Sequence, residues 1–169
     1  MVSTFSGLPK RRIVYLIGFL FCAGLIAFAL YLQYKLAEDP CPLCIFQRIA
    51  VAALGLVSLI AALHNPRDFG NRIYASLSVI AAAIGGAIAG RHVWLQHMPK
   101  DQVPECGPGL NYLLETQPWM QALSKVLKGS GECAEVGWTF LHMSIPEWTL
   151  ICFIVLGVVA IVQFRNRRG

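Results

Sequence analysis

A pair of cysteines two residues apart carries the densest chemistry in this chain: Asp39-Pro40-Cys41-Pro42-Leu43-Cys44-Ile45-Phe46-Gln47-Arg48. A proline stands on each side of Cys41, and the stretch runs straight into a long apolar segment. Asp39 is a suitable helix N-cap, and Pro40 suits the first helical position because it has no N–H to leave unpaired. Both thiols then sit at the positive end of a helix dipole, where a thiolate is favoured over a thiol. Arg48 follows Cys44 by one helical turn and adds a permanent positive charge on the same face. Such a centre is redox-active or nucleophilic. The same spacing also serves a structural disulfide or half of a zinc site, so the surroundings must decide.

Those surroundings are a membrane. The 169 residues are 56 % hydrophobic and 14 % charged, against about a quarter charged in soluble domains. Four apolar segments, near Ile13–Leu32, Ile45–Leu63, Ile73–Val93 and Trp148–Phe164, are each long enough to cross a bilayer. With no sequence repeat and no separate polar domain, the expectation for residues 1–169 is a single integral membrane domain, an all-α, four-helix transmembrane bundle. Lys10, Arg11 and Arg12 precede the first span, Arg67 and Arg72 lie between the second and third, and Arg165, Arg167 and Arg168 follow the fourth. By the positive-inside rule both termini are cytoplasmic, and the loops 33–44 and 94–147 face outward. The formal charge of +5 is thereby explained as topology, with no call for nucleic acid. A cleavable signal peptide ending near Ala27-Phe28-Ala29 is the competing reading of the N-terminus. The apolar run continues through Leu30, Tyr31 and Leu32, which favours an uncleaved span.

Gly86 and Gly90 in the third span form a G-x-x-x-G, a signal for close helix packing. The second outward loop is uneven. Its first part, 98–109, holds Cys106 among three prolines and two glycines and is read as extended. Thr116-Gln117-Pro118 then resembles a helix start, with Trp119, Met120, Leu123, Val126 and Leu127 on one face, the pattern of a short amphipathic helix lying on the membrane surface. Gly129-Ser130-Gly131 reads as a hinge leading to Cys133.

Of the six cysteines, Cys22 and Cys152 fall inside spans, at depths roughly 8 Å apart by helical rise. The other four, Cys41, Cys44, Cys106 and Cys133, fall two per outward loop. A compact disulfide-rich ectodomain is lacking, and a four-cysteine zinc site would ordinarily show two Cys-x-x-Cys knuckles, whereas Cys106 and Cys133 are 27 residues apart. Two displayed cysteines able to reach an activated Cys-x-x-Cys at the membrane surface describe a thiol–disulfide relay.

At this point the chain resembles the DsbB family of bacterial inner-membrane disulfide bond formation proteins. The resemblance spans nearly the whole chain. It rests on the four spans, on Cys41-Pro42-Leu43-Cys44 with Arg48, on Pro104-Glu105-Cys106 and Cys133-Ala134-Glu135, and on Ile145-Pro146-Glu147-Trp148. It implies a multi-pass enzyme of the bacterial inner membrane with its redox loops in the periplasm. Reduced DsbA, a periplasmic thioredoxin-fold thiol oxidase, would attack a Cys106–Cys133 disulfide at Cys106. Freed Cys133 would attack Cys41, and Cys44 would pass electrons to a membrane quinone, ubiquinone or menaquinone. Arg48 would place and polarise the quinone oxygen. A histidine after the third span is implied there too, and both His92 and His97 fall in that region. No metal is implied.

The charges beside the cysteines agree with that direction of flow. Glu132 and Glu135 disfavour a thiolate at Cys133, making it the more basic nucleophile, while the helix end and Arg48 favour a thiolate at Cys44, the better leaving group. Two other classes compete. A scaffold or transporter would carry polar groups along several spans, where Arg48 stands nearly alone. A DsbB paralogue or a vitamin K epoxide reductase-like enzyme would serve a different thioredoxin-like partner.

Overall fold

The computed structural model describes residues 10–36, 40–99, 118, 120–121, 129 and 131–165. Four long helices dominate: α1 Lys10–Leu36, α2 Pro42–His64, α3 Asp68–Gln96 and, after the second loop, α5 Ile145–Arg165. Each overruns the span expected for it. The shortest, α5, has 21 residues, which at 1.5 Å per residue reaches roughly 30 Å, the thickness of a bilayer core. A single turn, α4 Gly131–Ala134, and a two-stranded antiparallel hairpin, β1 Thr139–Phe140 with β2 Met143–Ser144, precede α5. The expected interfacial helix at 118–128 and the arm bearing Cys106 lie largely outside the described residues.

Burial is inverted relative to a soluble bundle. Ile17, Leu20, Leu56, Leu63, Ile80, Ile84, Ile154 and Val158 are exposed, while Gln47, Ser58, Asn71, Ser78, His92 and Gln163 are buried. Lipid welcomes the first set, and the second must find partners inside the protein. Near one end of the bundle Tyr15 Oη donates to Asn71 Oδ1 at 2.8 Å, and Asn71 Nδ2 donates to the Gln163 carbonyl at 2.8 Å, tying α1, α3 and α5 together. Arg11 pairs with Asp68 at 2.7 Å at the same end.

The helices pack in chain order, α1 on α2, α2 on α3 and α3 on α5. Between apolar helices in lipid, close packing replaces the hydrophobic effect as the attraction, so small residues decide where helices meet. The G-x-x-x-G expectation is half corrected. Gly90 has open space where a Cβ would be, and Gly86 touches Phe153 only at ordinary contact distance. Gly85 is the tight position, since a methyl there would run into the buried Phe153 ring. The α1–α2 seam closes in the same way, with Gly55 facing Cys22.

The ends of the helices follow local chemistry. Asn65 closes α2 in the left-handed region (φ 46°), its N–H donating to the Ala61 carbonyl at 3.0 Å, and Pro66 follows. At the start of α5, Glu147 Oε2 accepts from the Ser144 N–H at 2.6 Å, one arm of a capping box. The Ser144 hydroxyl turns away instead, donating to Gln96 Oε1 at 2.7 Å, and so fixes the start of α5 to the end of α3.

Candidate functional site

The start of α2 differs by two residues from the sequence expectation. Cys41 itself is the N-cap and Pro42 the first helical residue, with no side-chain cap bond. Both prolines suit N1, but only a start at Pro42 leaves Cys41 extended (φ −62°, ψ 162°) outside the helix and Cys44 within its first turn. Asp39, the expected cap, lies outside the described residues.

His92, on the last turns of α3, is the hub of the site. It is 2 % exposed. Its Nε2 stands 3.7 Å from Cys41 Sγ and its Nδ1 4.0 Å from Cys44 Sγ. The buried Gln47 side-chain nitrogen lies 3.0 Å from the same Nδ1. With that amide donating, the ring proton sits on Nε2, facing Cys41.

Cys133 reaches this hub from the second loop. Gly129, in the left-handed region at φ 85°, is buried beneath Leu95, whose side chain fills the space a Cβ would need. The turn α4 then packs on α3 and buries Cys133 among Leu43, Ile88 and Leu95. The expected hinge is thus pinned at Gly129 and Gly131, both buried, because Leu95 offers it an apolar seat. The result is that Cys41 Sγ, a His92 ring nitrogen and Cys133 Sγ all lie within 4.8 Å of one another. Cys106 is outside the described residues.

Arg48 is fastened to α1. Its guanidinium donates across the α1–α2 seam, Nη1 to Gln33 Oε1 and Nη2 to the Ala29 carbonyl at 3.1 Å. An Arg inside a span must satisfy its N–H groups, and α1 supplies the acceptors. It nevertheless lines the same cavity as the cysteines. That cavity, of about 930 Å³, is walled by Phe21, Leu25 and Phe28 of α1 and by Trp148 and Cys152 of α5, with Cys41, Cys44, Gln47, Arg48 and His92 on its polar side. Trp138 stacks on Phe140 (ring centroids 5.9 Å apart, planes 3° apart) and meets Phe28 edge-on, forming an aromatic rim. An apolar, ring-lined cavity with a few convergent donors suits a flat lipophilic molecule bearing polar oxygens.

His97 sits apart from this group. It is exposed, with Nδ1 2.9 Å from the Val93 carbonyl and Nε2 3.8 Å from Glu147 Oε1. Cys22 is buried in the core beside Val51, Leu54 and Phe153, whereas Cys152 is half-buried on the cavity wall. Sequence reasoning passed over Gln47 and Gln33 and set Cys152 aside with Cys22 as a cysteine within a span. A Gln within an apolar span, one turn from a cysteine, was the available signal for Gln47.

The sequence is similar to a set of known proteins. The family model described as "Disulfide bond formation protein DsbB" matches residues 11–163. The Disulfide bond formation protein B of Methylococcus capsulatus is 52 % identical over 159 residues, covering 94 % of this chain and 97 % of the relative. That of Nitrosococcus oceani is 51 % identical over 158 residues, 94 % of each chain. That of Hahella chejuensis is 53 % identical over 154 residues, 91 % of this chain and 92 % of the relative. With a matching family model along most of its length, four helices able to span a membrane and a cysteine–histidine cluster at their end, the chain belongs to the DsbB family of disulfide bond formation proteins.

Proposed function

We propose that this chain reoxidises a periplasmic thioredoxin-fold thiol oxidase of the DsbA kind and passes the electrons through two cysteine pairs to a membrane quinone. The observation that carries the reading is the gathering of Cys133, Cys41 and His92 within 4.8 Å, two of which, Cys41 and His92, line a cavity together with Cys44 and Arg48. The basic residues at both termini and between α2 and α3 support a periplasmic position for these cysteines.

The chemistry balances in four exchanges. A partner thiolate attacks Cys106 of a Cys106–Cys133 disulfide, and Cys133 leaves as a thiolate. The partner's second thiol resolves the mixed disulfide, freeing oxidised partner and the Cys106 thiol. Cys133 Sγ attacks Cys41 Sγ, and the Cys41–Cys44 bond breaks with its electron pair on Cys44 Sγ. Cys106 then attacks Cys133, restoring the first disulfide and leaving Cys41 and Cys44 as a dithiol.

Closing the cycle means forming the Cys41–Cys44 bond again with loss of two protons and two electrons. A quinone, when bound among the residues of the cavity, would supply the two-electron, two-proton acceptor. Within the chain, His92 has a ring nitrogen toward each of the two thiols and serves to hold or move their protons. The aromatic rim and α1 wall seat the ring and exclude water, and Arg48, held by Gln33 and Ala29, presents positive charge to an oxygen.

Titrating the purified chain, without oxygen, with reduced DsbA-type partner and ubiquinone or menaquinone tests this. Quinol should form in step with partner disulfide. Partner oxidation with no quinol would overturn the quinone half of the reading.

A further inference from the structure

The cluster that serves thiol exchange also has the composition of a closed metal site. Cys41 Sγ, Cys133 Sγ and a His92 ring nitrogen lie within 4.8 Å of one another, with Nε2 of His92 at 3.7 Å from Cys41 Sγ. Around a tetrahedral zinc ion, with Zn–S about 2.3 Å and Zn–N about 2.0–2.1 Å, neighbouring ligand atoms stand about 3.5–3.8 Å apart. Small rotations of the two cysteines therefore suffice to close the set. His92 and Cys133 are 2 % and 1 % exposed, so an ion held there is shielded from water on most sides. Cys44 Sγ, 4.0 Å from the other nitrogen of His92, is placed to supply a fourth ligand by turning about its own side chain.

We propose that the fully reduced chain binds a thiophilic d10 cation, of which Zn²⁺ is the representative, through Cys41, Cys133 and His92, and that this occupation arrests the thiol relay. Binding involves no change of oxidation state. The Cys41 and Cys133 thiols each release a proton to the buffer as their S–metal bonds form, and His92 contributes the neutral lone pair of Nε2. The proton on the ring then belongs on Nδ1, facing Gln47. A rotation of the Gln47 amide presents its oxygen to that N–H in place of its nitrogen, completing the outer hydrogen bond that metal-bound histidines ordinarily make. Oxidation closes the site, because a sulfur tied in a disulfide is no longer a thiolate ligand. The site is thus gated by redox state. A cell short of electron acceptor, in which the cysteines accumulate as thiols, would expose it, and the metal would hold Cys133 and Cys41 out of exchange.

The binding rests on geometry and the arrest on the proposed cysteine relay, and neither rests on the quinone reading, so the test of binding uses neither partner nor quinone. The full chain in detergent micelles is reduced with a phosphine, freed of reductant without oxygen, and titrated with Zn²⁺ against a coloured chelator. Cd²⁺ in a parallel titration reports thiolate ligation through its ultraviolet charge-transfer band. One ion should bind per reduced chain and none at this site once the same preparation has been oxidised. Cys133→Ala and His92→Phe should each weaken binding at least about tenfold, whereas Cys22→Ala, in the core, should leave it unchanged. Gln47→Glu should tighten it by roughly tenfold, since a carboxylate is the stronger outer acceptor. Equal binding by oxidised and reduced wild-type chain would overturn the proposal without relying on any variant. So would affinity that ignores His92→Phe but falls with Cys106→Ser, which would assign the ion to the loop cysteines.

Discussion

The side-chain nitrogen of Gln47 stands 3.0 Å from Nδ1 of His92, and the opposite ring nitrogen faces Cys41 at 3.7 Å. One residue of α2 therefore sets both the tautomer and the tilt of a ring on α3 that bridges the two thiols. Gln47 acts through the histidine, whose ring it holds by that bond.

Replacing Gln47 with Leu removes that bond and leaves His92 free to take the other tautomer. Losing a buried hydrogen bond costs about 1–3 kcal/mol, and exchange between the cysteine pairs should slow by roughly tenfold, about 1.4 kcal/mol in the barrier. Gln47→Glu, whose carboxylate can only accept and so draws the ring proton onto Nδ1, should slow exchange further than Gln47→Leu does. Stopped-flow thiol exchange measures both. Equal slowing in the two variants would mean that Gln47 matters only as packing.

Arg48 is held by acceptors on α1, Gln33 Oε1 and the Ala29 carbonyl. A lysine has one nitrogen and cannot keep the planar two-nitrogen fork that spans them. Arg48→Lys should therefore raise the KM for quinone several-fold, with kcat changed less and thermal unfolding shifted only slightly. An unchanged KM would make Arg48 a clamp between α1 and α2 with no part in the cavity.

The bundle offers a sharper packing test at Gly85. A methyl placed there meets the Phe153 ring, so Gly85→Ala should destabilise the fold by about 1–3 kcal/mol as α3 and α5 part. Gly90→Ala, with open space around it, should be neutral or stabilising by up to about 1 kcal/mol through helix propensity alone. Unfolding in mixed micelles compares them. The reverse order would restore the G-x-x-x-G as the contact.

Much of this was legible beforehand because membrane spans and Cys-x-x-Cys are local signals. Apolar runs of roughly 20 residues declare themselves without tertiary information, and so does a thiol pair beside a helix start. What could not be read was direction. Whether Arg48 turns to Cys44 or to Gln33 depends on which acceptors a different helix presents, and whether His92 or His97 meets the cysteines depends on the rotation of α3. Five residues apart on a helix, the two histidines differ by about 140° in azimuth, and only packing against α2 selects His92. The seat of Cys133 beneath Leu95 is equally non-local, since Gly129 as a sequence feature says only that the chain can turn there.

In the proposed relay Cys133 exchanges with Cys41, and thiol mapping of a Cys106→Ser variant tests that exchange. With Cys106 gone, no second cysteine remains in the loop 94–147, and Cys133 should attack the Cys41–Cys44 disulfide. Alkylation of the isolated variant followed by peptide mass spectrometry should find Cys41 linked to Cys133 and Cys44 carrying the label. A chain with Cys41 still linked to Cys44 and the label on Cys133 would contradict the account.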